Sequence, residues 1–417
     1  MPSACSGART EGAPPGARPG GAARLAADPT ICLRCCAGLG VLLALATGCS
    51  GGSRAAPSAA APPALAEAAR ADGDKVVNVY NWGTYIDPEV LRAFEQEFGI
   101  TVNYDVYDSN ELLETKLFVG HTNYDVVVPS GYFLENQIKA GIYQKLDKRQ
   151  LPNLKNLDPE VIRGVGVYDP GNQYAVDYMW LSTTGIAFNT TQIRTRMANA
   201  PVDSWRMIYD PTVVARFQDC GVALLDAPIN VVASALIFLG KDPNSESRAD
   251  LQAAEQLLLS VRRYIRYIDS THLAADLANG DICLAIDWSG DIPLARESAK
   301  GAGGGVTLDF SIPREGSVSN FDVLAIPVDA PHPHNAHLFI NYLLRPEVAA
   351  MNSTAVKYAS GVSDSVALVS AELRNDPAVY PPPQVRARLV PSRAKSHEFT
   401  RLLMRSWTRF KTSQTAQ

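Results

Sequence analysis

From residue 76 onward the chain alternates between segments with the apolar pattern of strands and segments with the apolar spacing of helices. Val76 to Trp82 is rich in β-branched and aromatic residues, which predicts a strand. A helix is predicted next, with Asp87 as its N-cap, Pro88 in its first turn and Gly99 at its end. Two more predicted strands and a helix between them follow, at 100–107, 124–129 and 112–117. This order predicts an α/β protein with a mostly parallel sheet flanked by helices.

The same alternation restarts in the second half of the chain. Strands are predicted at 221–225, 281–288, 306–312 and 321–328, and helices at 230–239, 248–267, 336–344 and 398–411. At 417 residues the chain exceeds the roughly 250 to 300 residues at which single cores stop growing. We therefore predict two lobes that share crossing strands, with boundaries at 76–182 plus 314–360 and at 183–313 plus 361–417.

The first 74 residues predict export and tethering. A basic flank at Arg34, a short apolar run and small residues before Cys49 indicate a signal peptide within a leader at 1–48. The run is shorter than the about 20 residues of a membrane-spanning helix. The sequence from Ala46 to Cys49 resembles a bacterial lipobox, which predicts lipidation of Cys49; ordinary cleavage near Ala46 is the alternative. Residues 49–74 are predicted to form the tether.

Composition and charge narrow the function. With 46% apolar residues the chain has enough apolar material for a packed interior. The net charge is −5, and no block of lysine and arginine occurs in the sequence. These features argue against nucleic acid and against an anionic membrane as partners, and they suit a cationic ligand.

Cysteine usage agrees with export. Of the seven cysteines, only Cys220 and Cys283 lie beyond the leader and Cys49. Two cysteines in an exported chain are expected to pair, although two buried thiols or a redox pair are alternatives. Their wide separation and the absence of a CxxC motif argue against redox chemistry.

Aromatic and acidic residues recur just after the predicted strands, where ligands bind in open α/β sheets. These residues are Trp82, Tyr85, Ser130, Asp226, Trp288, Asp291 and Asp322. Carboxylates accept charge-assisted hydrogen bonds from an ammonium group, and ring faces attract cations while packing on methylenes. Each residue alone is more often a core residue or a helix cap. Their joint placement predicts a site for an organic cation.

No catalytic constellation is evident. The sequence has no GxSxG, no P-loop and no HExxH motif. His332, His334 and His337 could bind a metal, but without a nearby cysteine or glutamate they are better explained as a loop and a helix start. We predict a binding protein that is not an enzyme and that needs no cofactor or metal.

Several segments together resemble a known family: YNWGTYIDPEVLRAFEQEFGITVNYDVYDSNELLETKL, LDAP, LANGDICLAIDWSGD and NYLLRPEV. They are similar to the spermidine/putrescine-binding periplasmic proteins of bacterial ABC importers, and most to the putrescine branch. The resemblance implies a two-lobed type II periplasmic binding protein fold that closes over a polyamine. It also implies a membrane ABC permease as partner, a periplasmic location and a monomer, with the membrane touched only through the lipid anchor.

The resemblance also implies roles for individual residues. Those expected to line the cleft are Trp82, Tyr85, Ser130, Trp288, Asp291, Asp322 and Tyr358. Asp291 and Asp322 would hold one ammonium group, and the rings would sandwich the carbon chain. Asp226 matches an acidic position on the distal side. Cys220 and Cys283 match a bridged pair.

The chain departs from that family at positions that bear on the ligand. Thr84 and Ile229 stand where the putrescine branch has acidic residues, and Asn320 replaces an aromatic residue. Because a buried ammonium without a counter-charge costs several kcal/mol, other acids are needed. Asp177 and Asp287 are the candidates. Strand alternation argues against Asp287, because its neighbour in the strand is expected to face the cleft.

Three ligand classes follow from these departures. The first is a diamine or polyamine held by a rearranged acidic set. The second is a ligand with a cation at one end only, such as an acylated polyamine. The third is a guanidino compound such as agmatine. A binding protein that feeds a receptor rather than an importer would share the same fold.

Overall fold

The computed structural model describes residues 72–180, 182–301, 303 and 305–413. The predicted leader, Cys49 and most of the predicted tether lie outside the described residues. The strands are β1 (Val76–Trp82), β2 (Thr101–Tyr107), β3 (Val126–Val127), β4 (Ala175–Val176), β5 (Ser182–Asn189), β6 (Val222–Leu224), β7 (Tyr267–Ile268), β8 (Leu284–Trp288), β9 (Leu308–Ser311), β10 (Ser317–Asn320), β11 (Leu324–Ala325) and β12 (Leu389–Pro391).

Helices cover both faces of the sheets. In chain order they are α1 (Pro88–Phe98), α2 (Asn110–Val119), α3 (Gly131–Lys139), α4 (Pro159–Val165), α5 (Thr190–Arg196), α6 (Arg206–Tyr209), α7 (Pro211–Val214), α8 (Pro228–Phe238), α9 (Arg248–Val261), α10 (Leu273–Asn279), α11 (Asp291–Gly301), α12 (Pro333–Leu343), α13 (Pro346–Val356), α14 (Ala371–Arg374), α15 (Pro383–Arg386) and α16 (His397–Thr412). Short 3-10 turns occur at Lys148–Gln150, Pro152–Asn156, Ala215–Phe217, Arg262–Tyr264 and Ser363–Ala367.

The strands form two sheets. The first has the order β2-β1-β3-β11-β4, and the second has the order β12-β10-β5-β8-β6-β7 with β9 beside β5. Strands β1, β2 and β3 pair in parallel, as do β6, β7 and β8. Antiparallel pairs occur where β5, β10 and β11 carry the chain from one sheet to the other and back. The alternating pattern does not predict these returning strands.

Two hydrophobic cores accompany the two sheets. One core is built from residues between 77 and 180 and between 321 and 379. The other is built from residues between 186 and 310, together with Ala378 and the apolar face of α16. Among the described helices, none is both long enough and apolar enough to cross a bilayer.

Local sequence signals predict the first elements well. The Asp87 side chain accepts a hydrogen bond from the Glu89 N–H, and Gly99 takes the left-handed conformation that ends α1. Ser109 caps α2 through the N–H of Leu112. The buried segment predicted as a strand at 124–129 is shorter, because only Val126 and Val127 pair.

Longer-range contacts decide the elements that the sequence pattern does not reveal. The predicted helix at 248–267 ends at Val261, because the chain turns there and pairs Tyr267 with Ala223 of β6. Strand β5 is buried on both faces and reads STTGIAFN, so it lacks the alternation of a half-buried strand. The pattern also does not predict helix α11. Its first residue, Asp291, lies in the candidate site.

Candidate ligand-binding site

Trp82 lies at the end of β1, and one hydrogen bond and one contact with another aromatic ring position its side chain. Its indole N–H donates to the carbonyl of Val128 at 3.0 Å, and its ring lies 4.7 Å from that of Tyr107 between centroids. The side chain is half-buried. Because the Val128 carbonyl just after β3 satisfies the indole N–H, the exposed part of the half-buried ring can contact a ligand.

Asp322, Tyr85 and Ser130 form a group that we call the Asp322 corner. The Tyr85 hydroxyl donates to Asp322 Oδ2 at 2.7 Å, and the Ser130 hydroxyl donates to Oδ1 at 2.5 Å. Ser130 also pairs with Asp322 through an isolated backbone bridge, which fixes the two side chains side by side. Burial raises the pKa of Asp322, and the two hydroxyl donors oppose that rise. The corner thus stabilises a carboxylate with neutral donors.

Asp291, Asp287 and Tyr358 form a second group, the Asp291 corner. The Tyr358 hydroxyl lies 3.4 Å from Asp291 Oδ1, a long hydrogen bond. Burial raises the pKa of Asp291 to about 6, while hydrogen bonds from Tyr358 and Asp287 oppose the rise. Asp287 is 1% exposed, and burial together with the Asp291 charge raises its pKa well above the usual range. This corner therefore has two acids where the Asp322 corner has one.

Aromatic rings connect the two corners. The rings of Tyr85 and Tyr358 lie 5.2 Å apart between centroids, and Trp82 lies 6.4 Å from Tyr85. Tyr358 belongs to the first core, whereas Asp291 follows β8 of the second core. Gly290 allows this contact, because a Cβ there would lie 1.8 Å from the Tyr358 ring. The site is therefore built by residues from both cores.

Asp177 and Asp287 are buried acids with incomplete hydrogen bonding. Asp177 Oδ1 accepts from the Met179 N–H at 2.8 Å, and Asp287 Oδ1 accepts from the Trp288 N–H at 2.8 Å. The Oδ2 atom of each has no donor among the described residues. Burial raises the pKa of Asp177 well above its usual range, and the nearby charge of Asp322 raises it further. Each candidate acid thus neighbours one corner.

Asp287 and Trp288 differ in their surroundings, as expected for successive residues of a strand. Asp287 is buried, and the charge of Asp291 at the start of α11 helps to raise its pKa. Ser289 and Gly290 form the turn between β8 and α11, so only three residues separate Asp287 from Asp291. Trp288 is half-buried and packs against the second core.

Asp226 is not in contact with the two corners in this structure. Its side chain accepts a hydrogen bond from the Trp407 indole N–H at 2.7 Å and forms an ion pair with Lys411 of α16. Cys220 and Cys283 form a disulfide with their Cα atoms 5.6 Å apart. This bond joins the start of β6 to the start of β8, which agrees with the expected pairing.

The three positions of departure have distinct surroundings. Thr84 is exposed, in the left-handed conformation with φ of 58°, and its hydroxyl donates to the carbonyl of Gly83. Ile229 is half-buried in the first turn of α8 and packs against the second core. Asn320 is 6% exposed, and its Oδ1 atom has no donor among the residues that the structure describes.

Sequence reasoning does not identify the residues that support the Asp322 corner. Asn110 is 4% exposed, and its side chain both donates to Ser130 Oγ and accepts from the Ser130 N–H, each at 3.0 Å. The Tyr178 hydroxyl donates to the carbonyl of Tyr85 at 3.2 Å. The capping pattern at the start of α2 explains Asn110 as part of a helix start, so its contact with Ser130 has no signal in the local sequence.

The histidines of the HPHNAH segment have structural partners. His332 pairs with Asp125 at 3.0 Å, His334 lies 3.1 Å from the Gln150 side chain, and His337 accepts from the N–H of Asp147. Within the described part of the chain, no group of three or more potential ligands is placed to hold a metal ion.

A carboxylate and aromatic site shared by two α/β cores defines a solute-binding protein of the periplasmic type. The family model described as bacterial extracellular solute-binding protein matches residues 89–381, and the chain belongs to this family. The putrescine-binding periplasmic protein PotF of Escherichia coli is 48% identical over 82% of this chain and 92% of that protein. A putrescine/agmatine-binding protein of Pseudomonas aeruginosa is 42% identical over 81% of this chain and 92% of that protein.

A solved structure gives the same fold. A putative spermidine/putrescine ABC transporter protein from Listeria monocytogenes superposes with a TM-score of 0.72 at 30% identity, covering 82% of this chain and all of that chain. The predicted type II periplasmic binding protein fold is therefore confirmed. Membership of a solute-binding family also confirms the prediction that the chain is not an enzyme. Its relatives are periplasmic proteins.

Proposed function

We propose that this protein captures a polyamine or related cationic amine, of the putrescine type, in the periplasm and delivers it to a membrane ABC permease. One observation carries the proposal. Asp322 and Asp291 are carboxyl groups without a lysine, arginine or histidine partner among the described residues, and tyrosine rings connect them. An organic cation would supply the missing counter-charge.

Trp82, Tyr85, Ser130, Trp288, Asp291, Asp322 and Tyr358 are the proposed ligand-binding residues. The carboxylates accept ammonium N–H groups, and a desolvated cation over a tryptophan face gains about 2 kcal/mol. The methylene chain packs on the remaining ring surface. Asp226 is the candidate for the distal amine; its ion pair with Lys411 means that a ligand would first have to displace that lysine.

A diamine is the ligand class that the acidic set favours. Thr84 and Ile229 bring no charge, but Asp177 lies near Asp322, and Asp287 lies beside Asp291. One additional acid near each corner, two in all, restores the number of carboxyls that the departures remove. A relative that binds putrescine and agmatine makes a guanidino ligand the second candidate.

Capture proceeds by closure of two lobes. We propose two lobes, one from 76–182 plus 314–360 and the other from 183–313 plus 361–417. The two cores support this division except that apolar residues between 362 and 379 pack in the first core. Ligand bound to both corners stabilises the closed arrangement, because each lobe alone offers only half of the contacts. Closure removes water and so strengthens the charge pairs.

The remaining features of the proposal concern location and assembly. We propose that Cys49 carries a lipid anchor after removal of the leader, that residues 49–74 tether the body, and that the protein works as a monomer. Mass spectrometry of the membrane fraction tests the anchor. A Cys49→Ser variant released into the soluble fraction supports it, and unchanged membrane association contradicts it.

Calorimetric titration of the purified protein with putrescine, spermidine, agmatine and acetylputrescine tests the function. We expect putrescine to bind at micromolar affinity or better, about −8 kcal/mol. Tighter binding of acetylputrescine would mean that only one cation is recognised. The absence of binding to all four compounds would contradict the proposal.

A further inference from the structure

Asp287 is the buried penultimate residue of β8, and Asp291 is the half-buried first residue of α11, so two neighbouring carboxyl groups lie on either side of one turn. Asp287 is 1% exposed, and its only donor is the Trp288 N–H, which reaches Oδ1. Asp287 Oδ2 has no donor within the described residues. Two carboxylates offer acceptors only, so a hydrogen bond between them requires a proton on one of them.

The surroundings supply no positive charge to this pair. Strands β5 and β6, which flank β8, contain no titratable side chain. Tyr267 of β7 donates instead to Asp276 of α10. Tyr358, near Tyr85 and Asp322, contributes only a hydroxyl to Asp291.

The charged residues of α11 and β9 are engaged elsewhere. Glu297 forms an ion pair with Lys357 at 2.9 Å. Arg296 bonds to Asp309 of β9 and to Asp376. Lys300 lies 3.4 Å from the Glu372 carboxylate. Neither acid of the pair has an ion pair with lysine, arginine or histidine in the described ranges. Two negative charges side by side in this setting would repel each other, because the burial of Asp287 limits screening by water.

We propose that Asp287 and Asp291 hold a single proton between them in the empty site, and that a bound ammonium group displaces this proton. Asp287 is thereby assigned as a ligand-binding residue. The inference rests on the proposed function for its ligand. The pair carries one negative charge when empty and two when it faces the cation; the proton passes to solvent and the ammonium group keeps all of its own protons.

The two corners then respond differently to ligand. The Asp322 carboxylate already has two hydroxyl donors, so a cation binds there without a change in protonation. The Asp287–Asp291 pair exchanges a proton for the ligand, so capture becomes weaker as pH falls. Such coupling belongs to the pair rather than to either residue.

Titration of the protein with putrescine in buffers of different ionisation enthalpy measures the protons released. We expect about one proton released per putrescine at about pH 6.5, and close to none for Asp287→Asn, which cannot hold the shared proton. The matched control is Asp364→Asn, an exposed aspartate, which should release the same number as the wild type. Putrescine binding without proton release, or equal release by Asp287→Asn, overturns the inference and leaves the proposed function standing.

A second measurement requires no ligand. In the empty protein with ¹³C-labelled aspartate carboxyls, we expect a protonated carboxyl at about pH 7 that disappears in Asp287→Asn, whereas the signal of buried Asp177, whose pKa is also raised, should remain. A wild-type spectrum with Asp287 and Asp291 both ionised at that pH overturns the inference. If this proton is present but no amine binds, the result supports a proton shared by the pair. The proposed function and the displacement of the proton by an ammonium group are then both contradicted.

Discussion

The two acidic corners use the same residue types to opposite effect. Asp322 receives two short hydrogen bonds from hydroxyl groups, whereas Asp291 receives one long hydrogen bond and lies beside a second acid. Neutral donors stabilise a charge, and a neighbouring acid destabilises it. The charge state of a carboxyl group is therefore set by its neighbours more than by its own identity.

Removal of the Asp322 charge should have the largest effect. Asp322→Asn should weaken putrescine binding by about 2 to 3 kcal/mol, roughly 30- to 150-fold, because the ammonium loses its charge-assisted partner. Calorimetry measures this loss. Asp105→Asn is the matched control, since Asp105 also accepts from a tyrosine hydroxyl at 2.7 Å, from Tyr124, but lies outside both corners. A change of less than threefold for Asp322→Asn would place the ammonium elsewhere.

Gly290→Ala should break the contact between the two cores within the Asp291 corner. A Cβ at this position would overlap the Tyr358 ring, so the ring and Asp291 must separate. Overpacking of this kind costs about 1 to 3 kcal/mol, and we expect at least a tenfold loss of putrescine affinity. Gly301→Ala is the control, because a Cβ there meets no atom within 4 Å. Equal affinities for the two variants would show that the Tyr358 contact does not matter for capture.

The dependence of the free energy of unfolding on pH should reveal the raised pKa values of the Asp291 corner. The pKa values of Asp287 and Asp291 are raised in the folded protein, to about 6 for Asp291, so it binds more protons than the unfolded chain above about pH 4. The free energy of unfolding therefore falls as pH rises through this window, by at most about 1.4 kcal/mol per pH unit for each proton. Denaturant titration between about pH 4 and pH 6 should show that the free energy of unfolding of Asp287→Asn falls less steeply with pH than that of the wild type. A slope identical to that of the wild type would contradict the prediction.

Removal of single hydroxyl groups should have the smallest effects and should rank the corners. Tyr85→Phe deletes the 2.7 Å bond to Asp322 and should weaken putrescine binding by about 1 kcal/mol, roughly fivefold. Tyr358→Phe deletes only the 3.4 Å contact with Asp291 and should cost less than about twofold. Tyr124→Phe, which removes an equivalent bond to Asp105, is the control. A larger loss of putrescine affinity for Tyr358→Phe than for Tyr85→Phe would contradict this order of the two corners.

Local sequence determined the parts of this protein that local physics controls. Capping residues and apolar spacing fixed β1, α1 and the start of α2, since these signals act over a few neighbouring residues. The segments resembling the polyamine-binding family also indicated the fold and the class of protein. The amino-acid sequence alone therefore identifies the aromatic and acidic residues that follow the strands.

Only the tertiary structure decided which of those residues meet. Tyr85 and Asp322 are 237 residues apart in the chain, and Tyr358 and Asp291 are 67 apart. Asp287 neighbours Asp291 because the chain turns after β8. The alternation of side chains along a strand does not predict this turn. Hydrogen bonding and charge repulsion act across space between residues distant in sequence. For that reason the protonation state of the site depends on the folded protein, whereas the sequence alone determines which residue types are available to the site.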